Sequence, residues 1–268
     1  MFSALPPENP LRFSNMKGAN FMLLEICVDS LASARAAIEG GADRLELCSA
    51  LLAGGLTPYT ALLQQIRKES DIDVRCLMRP RAGDFLYTQE EIDMMCMQIR
   101  ELKGAGANGF VIGCLAPTGE LDMDTMKPLI GAADGAGVTL HRAIDVSRDP
   151  IETYLKAKEL GIDTVLTSGA ASNCKLGEAV ISSLLQLRQE TNGPEVLIGA
   201  GVNASVIEYF RQHHPLSRAF HMSGKRDLES GMLFRREGVP MGLPGLDEWH
   251  IQQTDVNAIR AARKVLNR

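Results

Sequence analysis

The sequence predicts a single-domain α/β fold, a (β/α)₈ barrel over residues 21–268 behind a loose tail at 1–20. Three observations predict it. Eight short apolar runs alternate with eight segments of helical period in roughly 250 residues, the arrangement of a closed parallel barrel. The first two runs, Leu24-Glu25-Ile26-Cys27-Val28 and Leu45-Glu46-Leu47-Cys48-Ser49, are one phrase written twice around a helix-length segment, a strand, helix, parallel strand unit. The turn after the first run, Cys27-Val28-Asp29-Ser30, lacks the glycine fingerprint that an open doubly wound sheet shows there.

The elements follow in order. Residues 24–28 form the first strand, and 30–39 a helix with Asp29 or Ser30 as N-cap and glycine at its end. Residues 45–49 form the second strand, and 59–70 carry Leu62, Leu63 and Ile66 at helical spacing. Strand three covers 73–78 and ends in the charged loop Arg79-Pro80-Arg81-Ala82-Gly83-Asp84-Phe85. Thr88-Gln89-Glu90-Glu91 opens a helix in capping-box style that runs to about Lys103. Strand four is 109–113, followed by a helix at 124–136 with an awkward internal Pro128. Strand five is read through 138–145, its helix at 150–160, strand six at 163–169 and its helix at 176–190. Strand seven covers 195–202, its helix 204–213, and strand eight 218–223. A glycine-rich stretch with Phe234-Arg235-Arg236 reads as a surface segment, and 255–266 as a closing helix capped by Thr254 or Asp255.

Composition narrows the function classes. The chain has 268 residues, 45% hydrophobic and 23% charged, enough for a large core in a globular protein. A net charge of −5 gives no attraction to nucleic acid or an anionic membrane. No apolar run is long enough to span a bilayer, and the start has no secretory apolar region. The six cysteines follow no CxxC spacing, so they read as thiols in a reducing cytosol.

Alternation in a strand puts every second residue on one face. Glu25 and Cys27 therefore share a face opposite Leu24, Ile26 and Val28, and Glu46 with Cys48 opposes Leu45 and Leu47. A carboxylate pair and a thiol pair are expected to converge on one side of the sheet, the carboxylates one pleat repeat deeper. Buried glutamates need partners, and paired thiolates suit a soft metal. In a barrel the functional face lies at the strand C-termini. Strand three brings Arg79, Arg81 and Asp84 there; strand five brings His141, Arg142 and Asp145. Thr167 and Ser168 come from strand six, Gly199 and Gly201 from strand seven, and His221 with Ser223 from strand eight. Glu25, Cys27, Glu46, Cys48, Arg79, His141 and His221 are expected to line one cavity, with the two loop arginines neutralising the carboxylates. A lone buried cysteine is most often a small hydrophobe, which is the reading of Cys76, Cys96, Cys114 and Cys174.

The ordered set Glu25-Ile26-Cys27, Gly41-Ala42-Asp43-Arg44-Leu45-Glu46-Leu47-Cys48, Gly55-Leu56-Thr57-Pro58, Arg79-Pro80-Arg81-Ala82-Gly83-Asp84-Phe85, His141-Arg142-Ala143-Ile144-Asp145, Leu166-Thr167-Ser168-Gly169 and Gly199-Ala200-Gly201-Val202 resembles the CutC copper homeostasis family. The likeness runs from residue 22 to the end, with Ala82 and Ile144 as its departures. It implies a cytoplasmic TIM-barrel protein linked to copper tolerance, a homo-oligomer (dimer or tetramer), with Cys27 and Cys48 matching the residues that hold Cu(I) in eukaryotic members. Two function classes follow. In the first, Cys27 and Cys48 bind copper as Cu(I). In the second, the chain is an isomerase- or lyase-type enzyme acting on a small anionic molecule such as a sugar or sugar phosphate. Arg79, Arg81, Arg142 and the strand-seven turn would then hold negative charge, while His141 and a carboxylate from Glu25, Glu46 or Asp145 move protons.

Overall fold

The structure is a computed structural model that describes residues 22–236, 238–239, 241 and 247–268. The expected tail at 1–20 lies outside the described residues. Eight parallel strands close into a barrel in sequential order: β1 (Leu23–Val28), β2 (Arg44–Leu47), β3 (Asp73–Leu77), β4 (Gly109–Ile112), β5 (Gly137–Leu140), β6 (Thr164–Thr167), β7 (Glu195–Ile198) and β8 (Ala219–Met222). Eight helices alternate with them: α1 (Leu31–Gly40), α2 (Thr60–Glu69), α3 (Gln89–Gly104), α4 (Met123–Ala133), α5 (Pro150–Glu159), α6 (Glu178–Thr191), α7 (Ala204–His213) and α8 (Val256–Leu266). β1 pairs with both β2 and β8, which closes the ring and removes free sheet edges.

Local chemistry accounts for the ends of these elements. The Ser30 hydroxyl accepts the Ser33 N–H and starts α1, so Ser30 rather than Asp29 is the cap. Thr88 and Glu91 make the reciprocal capping box of α3. Asp255 caps α8. Pro128 sits inside α4 without ending it.

The structure corrects three readings. β5 stops at Leu140, and Arg142–Val146 forms a 3₁₀ turn, because the His141 Nδ1 accepts the Ala143 N–H at 3.1 Å and folds the chain over. β7 stops at Ile198, since Ala200 (φ +67) and Gly201 (φ +78) take the left-handed conformation that leaves the sheet. The stretch after β8 holds a hairpin rather than a surface segment alone: β9 (Lys225–Glu229) pairs antiparallel with β10 (His250–Thr254). Arg235 pins it, donating to Glu229 and lying over the Trp249 ring at 5.5 Å.

Strand parity divides the apolar residues as expected. Leu24, Ile26, Val28, Leu45 and Leu47 pack outward into the core beneath the helices. The barrel interior is mixed. One apolar cluster (Leu23, Leu166, Leu197, Ala219) and another (Cys27, Cys48, Leu77, Val111) flank a charged layer. In that layer Arg44 Nε donates to Glu25 Oε2 at 2.5 Å, both side chains fully buried. Arg75 crosses the interior from β3 to donate to Thr139 Oγ1 at 2.7 Å and Asp163 Oδ1 at 2.6 Å. Gly137 leaves room for it, since a Cβ there would lie 2.7 Å from Arg75 Nη2.

These placements set different stability costs. Ile26→Ala is expected to cost about 2–5 kcal/mol as an outward core truncation. Arg44→Met is expected to cost about 3–5 kcal/mol, because it strands a buried carboxylate. Adding Glu25→Gln to Arg44→Met should return part of that loss. Urea unfolding of the single and double variants measures all three; an Arg44→Met midpoint equal to wild type would refute the buried-pair account.

Candidate functional site

The mouth of the barrel, at the strand C-termini, encloses a cavity of about 600 Å³. Its wall from β8, β1 and β2 carries the sharpest chemistry. Register decides what meets what: Cys27 lies level with Glu46, and Glu25 level with Arg44. Glu46 is therefore beside Cys27 rather than one repeat deeper, because neighbouring barrel strands are staggered. The thiols still meet on the diagonal, with Cys27 Sγ 3.7 Å from Cys48 Sγ. A ligand atom from each of Cys27, Glu46 and His221 falls within 4.8 Å of the others.

His221 joins the two carboxylates. Its Nδ1 lies 2.7 Å from Glu25 Oε1 and its Nε2 3.8 Å from Glu46 Oε2. Burial raises the Glu25 carboxyl, but the charges of Arg44 and His221 and the hydrogen bond from His221 overcome it and hold its pKa at about 2. Burial drives the Glu46 carboxyl the other way, above the usual carboxylate value. Burial opposes charge on His221, yet Glu46 and Glu25 raise its pKa overall, so the imidazolium is favoured. The hydrogen bond to Cys48, burial and the charge of Glu46 push the Cys27 thiol far up, so it holds its proton until something displaces it.

The rest of the lining is built differently. Arg79 does not neutralise Glu25 or Glu46. Its guanidinium clamps two loops together, donating to the carbonyls of Ala53 (3.2 Å) and Gly55 (3.1 Å) after β2 and of Gly83 (2.9 Å) after β3. Arg81 is turned outward to Asp84 and Glu91. His141 is buried; burial and the nearby Arg79 charge lower its pKa to about 3, so it is neutral and fits a hydrogen-bond donor rather than a base. Asp145 accepts from Thr167 Oγ1 (2.5 Å) and from the backbone N–H groups of Ser168 and Ala170, and Arg142 donates to it at 2.7 Å.

Of the expected site residues, Cys27, Glu46, Arg79, His141, Arg142, Gly201, His221 and Ser223 line the cavity. Glu25 and Cys48 lie behind that surface, each fully buried. Arg81 and Asp84 stand on the outer loop, while Asp145, Thr167, Ser168 and Gly199 support the wall from behind. Sequence reading missed Arg44, Phe85, Lys225 and Gln252. Arg44 was detectable, two residues before Glu46 on the same strand face. Lys225 and Gln252 reach the cavity from the β9–β10 hairpin, which left no signal in the periodicity.

The comparisons with known proteins agree with one another. The chain matches the CutC family over residues 22–225. It is 38% identical over 246 residues to a family protein CutC of Porphyromonas gingivalis, covering 91% of this chain and 98% of that one. It is 37% identical over 248 residues to the copper homeostasis protein cutC homolog of Homo sapiens, covering 92% of this chain and 90% of that one. A crystal structure from Streptococcus agalactiae, described as a copper homeostasis protein CutC, superposes with a TM-score of 0.71 at 25% identity, covering 76% of this chain and 99% of that one.

The charged layer gives the site a signature in acid. A carboxyl whose pKa falls from 4.5 to about 2 on folding binds its proton less readily in the folded chain. It therefore contributes stability above 4.5 that is lost as pH falls toward 2. His221 has the opposite sign: its contribution is full below 6.5 and is lost as pH rises through its higher folded pKa. Thermal melts should fall steeply from about pH 5 downward, and Glu25→Gln should flatten that limb. An unchanged acid limb in Glu25→Gln would remove Glu25 as its source.

Proposed function

The chain belongs to the CutC family, linked by name to copper homeostasis, and from that premise we propose that it binds copper as Cu(I) through Cys27 and Cys48. The observation that carries this reading is the pair of buried, unbridged sulfurs 3.7 Å apart at the edge of the cavity. Thiolate is the ligand type that selects Cu(I) over harder ions. His221 can complete the set from its Nε2 side, because its Nδ1 already faces Glu25, the carboxylate–histidine arrangement common behind metal ligands. The residues thus fit a soft cation taken up as cargo.

Their protonation sets the cost of binding. Cys27 holds its proton strongly and His221 is favoured as the imidazolium, so Cu(I) enters by displacing protons from both, and affinity rises with pH. A reducing compartment, the cytoplasm, suits thiols kept free for this purpose, and all six cysteines are unbridged. Among the described residues no helix is long and apolar enough to cross a membrane. The same reading includes a homo-oligomer, to which the exposed apolar side chains of Leu233 and Phe234 could contribute surface.

Anaerobic Cu(I) loading followed by native mass spectrometry tests the reading. Wild type is expected to hold one ion. Cys27→Ser with Cys48→Ser is expected to lose it, and Cys48→Ser alone to weaken Cu(I) more than Zn(II), for which Cys27, Glu46 and His221 remain. Unchanged Cu(I) stoichiometry and affinity in the double variant would sink this assignment.

A further inference from the structure

The cavity lining holds two buried N–H donors with no acceptor among the described residues, His141 Nε2 after β5 and Arg79 Nε after β3. The tautomer of His141 follows from its other nitrogen. Nδ1 accepts the Ala143 N–H at 3.1 Å, so on a neutral ring the proton sits on Nε2. The ring cannot easily turn to find a partner. Gly113 packs against it so closely that a Cβ there would lie 2.4 Å from His141 Cε1. Arg79 is equally fixed, because three backbone carbonyls hold its two terminal nitrogens.

The donors share one corner. The Phe85 ring centroid lies 4.6 Å from that of His141 and 5.4 Å from Arg79 Cζ. A buried donor left unpaired is costly, more so beside a fixed cation. A ligand oxygen that accepts from both removes that cost. Arg142 and Lys225 add positive charge to the cavity, and Glu46 is the one carboxylate among the described lining residues. Leu51, Leu77 and Leu166 give it apolar wall.

We propose that this corner binds the carboxylate of a small organic acid, whose oxygens accept from His141 Nε2–H and Arg79 Nε–H while its carbon skeleton lies along Leu51, Leu77 and Leu166. Phe85 covers the donors, so the ligand reaches them by displacing its ring. Phe85 is itself partly exposed and follows the exposed tip at 82–84. Two donors and an apolar wall suit a singly charged organic anion better than inorganic phosphate, which presents more oxygens than this corner can satisfy. The donors are distinct from the copper ligands, as neither hydrogen-bonds to Cys27 or Cys48.

The test uses the full, metal-free chain under reductant, with pyruvate, acetate and benzoate as carboxylate probes and inorganic phosphate as the contrast. Nitrogen-15 spectra should show the His141 Nε2–H resonance shifting in a saturable way with at least one carboxylate, and calorimetry should give the same affinity. His141→Phe is expected to weaken that binding about tenfold or more, the loss of a hydrogen bond to a charged group. His141→Gln, which keeps an N–H donor, should recover most of it. Cys27→Ser with Cys48→Ser should leave it within about threefold. Should His141→Phe fail to fold, the wild-type spectra still decide the matter. The proposal is overturned if none of the three carboxylates moves the resonance, if His141→Phe binds as tightly as wild type, or if phosphate alone binds.

Discussion

Everything at the mouth of this barrel rests on one buried ion pair, Glu25 with Arg44. Both side chains are fully shielded from water, where each charge alone would be very unfavourable. Together, with His221 on the second Glu25 oxygen, they satisfy one another. The pair also fixes register. Glu25 lies level with Arg44 across β1 and β2, and a slip of either strand by one residue would turn its charge into the apolar layer beneath the helices and strand the other. An all-apolar barrel interior would be easier to fill, so the charged layer points to a requirement for fixed charge beneath the site.

That requirement becomes visible one level higher. With Glu25 anchored low in pKa, His221 is oriented and favoured as the cation, and Glu46 is left as the carboxyl that burial raises. Cys27 stands beside Glu46 and against Cys48, and both neighbours favour its protonated form. Hard and soft ligand atoms are thus interleaved on one wall. The choice between them belongs to the ion: a soft monocation gains most from the sulfurs, a borderline dication from the Cys27, Glu46 and His221 set.

The order of elements was legible because each strand is a short apolar run and each helix shows its own period and caps. Parity was legible too, and it assigned Glu25, Cys27, Glu46 and Cys48 to the inner face while sending Ile26 outward. Stagger was not. It arises from closure of the ring, and no residue in β1 or β2 announces that Cys27 will meet Glu46. Arg44 could have been read by the same parity, yet the adjacent Arg79 and Arg81 looked like the natural counterions. What turned Arg79 away was the approach of the carbonyls of Ala53 and Gly55, a tertiary contact invisible in the sequence. The β9–β10 hairpin was hidden for a related reason: its strands are mostly polar and exposed, so they lack the apolar run that marks the barrel strands.

Both sites open on the same mouth: His141 follows β5, four strands from β1 in a closed circle of eight, while Arg79 follows β3, next to β2. Their electrostatics are therefore coupled. A Cu(I) ion held by two thiolates carries net negative charge, and the corner of His141 and Arg79 is proposed to hold a carboxylate. Across a cavity of about 600 Å³ two such charges repel. Linkage makes the effect reciprocal: whatever factor the anion takes from Cu(I) affinity, Cu(I) takes from the anion. An organic acid at that corner would thus favour release of the metal, and removal of the metal would favour the acid. This follows from the sign of the charges alone, and its size would fall if water filled the space between the sites.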